Sequence, residues 1–330
     1  MLYYSYKHDD PRLAGDRDFL TRYYTMYLSP LDLVAASPPA IYRQLSAVVT
    51  HVVYAAGIYY PNTIAFQDPR YDQHIFFAAL FTNYVCLVLA AWLAGMIVEH
   101  ELKSPAFVPA TVGGMICLLS FSTQVSVITG LTEGLSWLMF ALAFLFYLRR
   151  WTVPLALLLV LAIFQREVIL ILFAAITGLA FLLRRHERRR DGIVFIWSLA
   201  CFAGYFLMRK TMVLPFPERP AHLDPGHWFE ALRQFHVTKD FVFQGLLSQN
   251  LLAIYAVSAA LAIWLRRERI FWLAVLVGAF LVLAAVTIVA NNDSQLGRLA
   301  SILSPVLAAF TAIAWERMGR AVPAVPTSAP

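Results

Sequence analysis

Long apolar runs alternate with short polar clusters along this chain, and that pattern sets the expected architecture. A helix crossing a bilayer needs about 20 apolar residues, fewer where the surroundings thin. Spans are predicted at 75–98, 106–124, 134–148, 152–164, 168–183, 193–208, 246–265, 270–290 and 299–315. The run 152–164 reaches only about 20 Å at helical rise. The pair 152–183 therefore also reads as a hairpin that dips partway in, with Gln165-Arg166-Glu167 at its tip. Both readings return the chain to the same side.

Ahead of the first run, Pro38 to Tyr60 is amphipathic. Ser37 suits an N-cap and Pro38-Pro39 an opening turn. Ile41, Leu45, Val48, Val49, Val52 and Val53 form one apolar face, with Arg43, Gln44 and His51 off it. Such a helix lies along a membrane surface. The expected fold is all-α: a polytopic transmembrane bundle of about nine helices plus this outer amphipathic helix. Its parts are an outer amino-terminal segment (1–72), a first membrane block (73–208), an outer loop (209–245), carboxyl-terminal membrane helices (246–316) and an inner tail (317–330).

Composition agrees. Of 330 residues, 60% are hydrophobic and only 14% charged, with a mean hydropathy of +0.65. A water-soluble domain is nearer half apolar and a quarter charged. The 14% aromatic content excludes disorder. The net charge of +6 invites a nucleic-acid reading, but the arginine clusters sit between apolar runs, which is the membrane pattern. Cys86, Cys117 and Cys201 fall inside apolar runs and offer neither a disulfide framework nor metal-ligand spacing. Residues 1–40 lack the apolar core of a secretory signal.

Orientation follows from Lys and Arg in short connections, which stay in the cytoplasm. Arg149-Arg150, the run Arg184 to Arg190, Arg266-Arg267-Glu268-Arg269, and Arg317 with Arg320 all land on one side. That side carries a net charge of +7 and the other −1, so the expected amino terminus is extracytoplasmic and the carboxyl terminus cytoplasmic. Arg209-Lys210 is an exception to the bias.

The remaining ionisable residues gather on the outer side. Asp16, Asp18, Arg43, Glu133, Arg166, Glu167, Asp293 and Arg298 lie near the ends of different spans. A charge at membrane depth costs roughly 2.5–3.5 kcal/mol on insertion scales, so Arg166 and Glu167 need partners or a wet cavity. One reading is a set of structural ion pairs that hold the bundle. The other is a shared pocket with general-base and anion-binding capacity. Gly15-Asp16-Arg17-Asp18-Phe19 supplies two carboxylates followed by Tyr23, Tyr24 and Tyr27. Arg43, Arg166 and Arg298 supply planar guanidinium forks suited to phosphate oxygens. The histidines around His222-Leu223-Asp224 match no metal motif and read as a polar loop.

These motifs resemble those of bacterial GT-C type glycosyltransferase-like membrane proteins. The acidic-aromatic stretch Gly15–Phe19 with Tyr23-Tyr24 resembles the family's first outer loop, and Tyr42-Arg43-Gln44-Leu45 its Tyr-Arg-x-Leu motif. Thr132-Glu133, Gln165-Arg166-Glu167 and Asp293 to Arg298 followed by Pro305 resemble later landmarks in the same order. The chain departs from the family in lacking a helix ahead of the acidic loop, in having Ser46-Ala47 where a proline usually follows, and in a short outer loop after Lys210.

The resemblance implies a GT-C-like bundle in the cell membrane, with an extracytoplasmic site that passes a sugar from a polyprenyl-phosphate carrier, with inversion, to an envelope lipid, glycan or protein. It implies Asp16 as the general base, with Asp18 as its helper or as a ligand of a divalent metal. It further implies Arg43, Arg166 and Arg298 as the phosphate clamp, accompanied by Tyr42, Glu133, Glu167 and Asp293. The expected partners are the lipid-linked donor and the bilayer. A noncatalytic envelope-assembly subunit and a lipid or solute transporter are the competing expectations; transport predicts related half-helix repeats, and the sequence has no internal repeat.

Overall fold

The computed structural model describes residues 23–30, 32, 43–58, 72–103, 107–119, 132–211, 233, 271–289 and 299–321. Every element among them is helical. In chain order these are α1 (Tyr24–Leu28), α2 (Gln44–Ala55), α3 (Gln73–Leu102), α4 (Phe107–Leu119) and α5 (Glu133–Leu148). Then follow α6 (Thr152–Ala162), α7 (Glu167–Leu183), α8 (Arg188–Thr211), α9 (Phe271–Val289) and α10 (Ser304–Ala321), the last entered through a 3-10 turn at Ser301–Leu303. The all-α expectation holds, and the described helices track the apolar runs. Two of them, within α3 and α8, are long and apolar enough to cross a membrane, while α2, α4 to α7 and the apolar part of α9 are shorter. The described residues thus give two full-length candidate spans where about nine were expected. The run 246–265 lies outside the described residues.

Helix ends follow local chemistry. At the start of α3, Asp72 has extended backbone and accepts a hydrogen bond from the His74 amide at 2.8 Å, which satisfies one orphan donor of the first turn. The same helix stops at Lys103, whose φ of 52° is left-handed. At the end of α5 the amides of Trp151 and Arg150 bond back to the carbonyls of Phe146 (2.9 Å) and Tyr147 (3.3 Å). This is a Schellman closure with Arg150, φ 62°, in the position glycine usually takes.

Helix α5 is the buried axis of the bundle. Trp137, Phe140, Phe144 and Tyr147 on it are enclosed, and their rings gather neighbours from three helices. Phe144 meets Trp272 of α9 at 5.2 Å and Phe310 of α10 at 6.0 Å, both edge-on, and Tyr147 meets Phe173 of α7 at 5.9 Å. Such edge-to-face pairs add about 0.5–1.5 kcal/mol each beyond area burial. Helix α3 packs along α5 and α4, while α7 packs along α8 and α9. At Gly134 the α3–α5 crossing leaves no room for a side chain. A Cβ there would sit 2.6 Å from Asn83 Oδ1 and 2.8 Å from its Cα, and the Gly134 amide donates to that Oδ1 at 3.1 Å.

Several faces are apolar and exposed. Val153, Leu157 and Leu161 form an i, i+4 stripe on α6, 46% to 69% exposed, and Ile193 and Ile196 on α8 are similarly open. In water such a surface invites association; against lipid tails it is at no disadvantage. The amphipathic helix shares this feature. Helix α2 begins at Gln44 with Arg43 at its N-cap, whereas Ser37, the expected cap, lies outside the described residues. Its buried side is Ser46, Ala47 and Thr50, while Val48 and Val52 face outward. Ser46 on the buried side is held by hydrogen bonds to Gln165, and the outward valines belong to the apolar face expected to lie along a membrane surface.

Candidate functional site

Three helix starts converge at one end of the bundle. Thr132 and Glu133 open α5, Gln165 and Arg166 form the turn into α7, Glu167 begins α7, and Arg43 begins α2. Gln165 is the hub. Its Oε1 accepts from the Ser46 amide (3.1 Å) and the Ser46 hydroxyl (2.9 Å), while its Nε2 donates to the Thr132 carbonyl (3.0 Å) and to Ser136 Oγ (3.1 Å). A primary amide has two donors and two acceptor sites, and here all four are used with no exposure to solvent. One side chain thus ties α2, α5 and the α6–α7 turn together.

Beside it lies a buried ion pair. Arg166 Nη1 donates to Glu133 Oε1 at 3.2 Å, with the side chains 2% and 0% exposed. Arg43 is different. Its Nη1 donates to the Tyr23 hydroxyl and, at 3.2 Å, to Thr132 Oγ1, both neutral, and its Cζ stands 5.9 Å from the Tyr23 ring centre. Its Nε is buried without a hydrogen-bond partner. Burial alone would weaken the charge, but Tyr23, Glu133 and Glu167 more than offset it, so the guanidinium stays firmly protonated. Tyr205 of α8 is buried within electrostatic range of Glu167 and Arg43 and joins the cluster. Tyr27, stacked 6.0 Å from Tyr23, lies behind it with its hydroxyl titration pushed up by burial.

Of the residues expected to form the site, Arg43, Glu133, Arg166 and Glu167 are brought together at one end of the bundle. Asp16, Asp18, Tyr42, Asp293 and Arg298 lie outside the described residues. Among the described residues no group of three His, Cys, Asp or Glu side chains gathers as for a metal ion. The four described members form a packed, charge-balanced cluster. Sequence reasoning missed Ser46, Ser136 and Tyr205, whose polar atoms face the cluster from inside helices. It also missed Gly134, where the lack of a side chain is what matters. A single helical turn joins the cluster to the chain ahead of α10, because Trp137 Nε1 donates to Ser301 Oγ at 3.3 Å.

The opposite end of α5 holds a second cluster. Glu187 receives Arg150 at 2.6 Å, Arg190 at 3.0 Å and Arg184 at 3.2 Å. Arg184 stands 4.3 Å from the ring centres of both Phe271 and Trp272. Tyr147 donates to Asp191 at 2.6 Å, and Arg190 lies 4.7 Å from the Tyr147 ring centre. From Glu133 to Leu148 the helical rise spans about 22 Å, so the two clusters occupy opposite ends of one helix. No protein-family model, curated protein or solved structure matches this chain.

Proposed function

We propose that the chain is a multi-pass membrane glycosyltransferase of GT-C type. In this reading it uses a polyprenyl-phosphate-linked sugar at the end of the bundle where Arg43, Glu133, Arg166 and Glu167 meet. That end faces outward and the arginine-rich end faces the cytoplasm, with about nine spans in all. The observation that carries the reading is Arg43. Among the described residues it is a buried guanidinium hydrogen-bonded to neutral hydroxyls rather than to a carboxylate, so its charge is not spent on a direct ion pair and suits an anionic phosphate. Arg166 is engaged by Glu133 and acts as a positioning residue.

Asp16 and Asp18 precede Tyr23 by seven and five residues in the chain. Seven residues reach at most about 25 Å, which tethers the acidic motif to the arginine that Tyr23 holds. In the reaction the acceptor hydroxyl gives its proton to Asp16 and attacks the anomeric carbon. The bond from that carbon to the phosphate oxygen breaks, and the electron pair leaves with the carrier phosphate. Arg43 and Arg298 stabilise the charge that builds there.

The test is transfer from polyprenyl-phosphate-linked sugars by the purified full-length chain in detergent. Asp16→Asn should lower the rate at least about a hundredfold, and Arg43→Lys should reduce it less than Arg43→Ala, with unchanged thermal unfolding for Asp16→Asn. Full activity in Asp16→Asn would overturn the assignment. The charge-balanced Glu133–Arg166 pair favours a second reading, a noncatalytic membrane subunit held together by this cluster. That reading expects no transfer by the wild-type chain but strong destabilisation by Arg166→Ala.

A further inference from the structure

The arginine-rich end carries an open cavity of about 440 Å³ bordered by Arg150, Arg189, Arg190, Glu187, Ile193 and Val194. Its charge is lopsided. Three guanidiniums face one carboxylate, and that carboxylate is already shared by Arg150, Arg184 and Arg190. Arg189 is exposed and makes no hydrogen bond or ion pair with a described residue, so its fork is available. The backbone holds Arg150 at the rim through the left-handed closure of α5.

One wall is apolar, and it continues. Ile193 is 61% exposed, and one turn along α8 come Ile196 and Trp197, also exposed. Across the groove, α6 presents Val153 and Leu157, and Trp197 Nε1 bridges the two helices by donating to the Ala156 carbonyl at 3.2 Å. A cationic mouth opening onto an aliphatic groove has the polarity of an amphiphile, with its anion at one end and its hydrocarbon at the other. A free inorganic anion would use only the mouth.

The geometry points to a binding site for an anionic phospholipid, its phosphate between Arg189 and Arg150 and an acyl chain along the α6–α8 groove. Guanidinium forks pair with phosphate oxygens, and basic pockets at membrane ends take acidic head groups. This inference rests on the membrane reading but not on sugar transfer, so it stands or falls separately from the activity of Asp16→Asn.

The test uses the full-length chain in phosphatidylcholine nanodiscs containing increasing phosphatidylglycerol with brominated acyl chains, which quench nearby tryptophans such as Trp197. Quenching by phosphatidylglycerol should saturate at a lower mole fraction than quenching by brominated phosphatidylcholine. Arg189→Gln should raise the midpoint at least about twentyfold, through loss of a charge-assisted bond to the phosphate on top of a surface charge. Arg185→Gln removes the same charge outside the cavity and should raise it no more than about fivefold, and Arg189→Lys, which keeps the charge, should fall between wild type and Arg189→Gln. Inorganic phosphate should not displace the lipid. Equal shifts in Arg185→Gln and Arg189→Gln, equal quenching by the two lipids, or displacement by inorganic phosphate would each overturn the proposal.

Discussion

The two ends of α5 solve the problem of placing arginines in an apolar bundle in opposite ways. At one end Arg166 and Glu133 are sealed from solvent and matched one to one, and Gln165 spends all its hydrogen-bonding capacity on neighbours. At the other, arginines outnumber carboxylates, several are exposed, and an open cavity lies among them. The first arrangement is rigid and intolerant of loss, because an unmatched charge has nowhere to hydrate. The second tolerates substitution, because water completes whatever a missing partner leaves.

The largest contrast should come from the sealed pair. Glu133→Gln removes the counter-charge of a buried arginine and should cost about 3–5 kcal/mol in thermal unfolding measured in detergent, whereas adding Arg166→Met to it should recover a large part of that loss. A value below about 1 kcal/mol for the single variant would erase the distinction between the two ends. Next comes Gly134→Ala, which drives a methyl into the Asn83 backbone and should cost about 1–3 kcal/mol. Gly278→Ala is the control, since the methyl there meets only the end of the flexible Leu179 side chain, 2.5 Å away, and it should cost clearly less.

At the open end, Glu187→Gln should cost no more than about 1 kcal/mol. Partial burial pushes the Glu187 carboxyl up, but Arg184, Arg150 and Arg190 together bring it below the ordinary glutamate value of 4.5. Its contribution is therefore complete above pH 4.5 and is lost as pH falls through the depressed value, so wild type and variant should converge in acid. The smallest expected effect is a gain. Lys103→Gly relieves a left-handed residue at the end of α3 and should stabilise by about 0.5–1 kcal/mol.

Much of this was legible in the sequence. The apolar runs located α3, α5, α7 and α9 to within a few residues, and the separation of arginine-rich loops from scattered acid–arginine pairs anticipated two polar ends. The packing of the polar side of α2 was not legible. Periodicity identifies an apolar face but cannot say which residues opposite it meet protein, and here Ser46 and Thr50 are the ones that face in. The role of Gln165 was hidden for a related reason. Its four hydrogen bonds go to three residues in two separate segments, 29 to 119 residues away in the chain. No local pattern marks such a junction.

The contact at Gly134 carries a mechanical consequence. Where two backbones touch with no side chain between them, neither helix can slide along the other without breaking the Asn83 bond. Helices α3 and α5 therefore form a single mast. Any rearrangement of the bundle must turn around that mast, and α2, pinned to α5 through Gln165, travels with it.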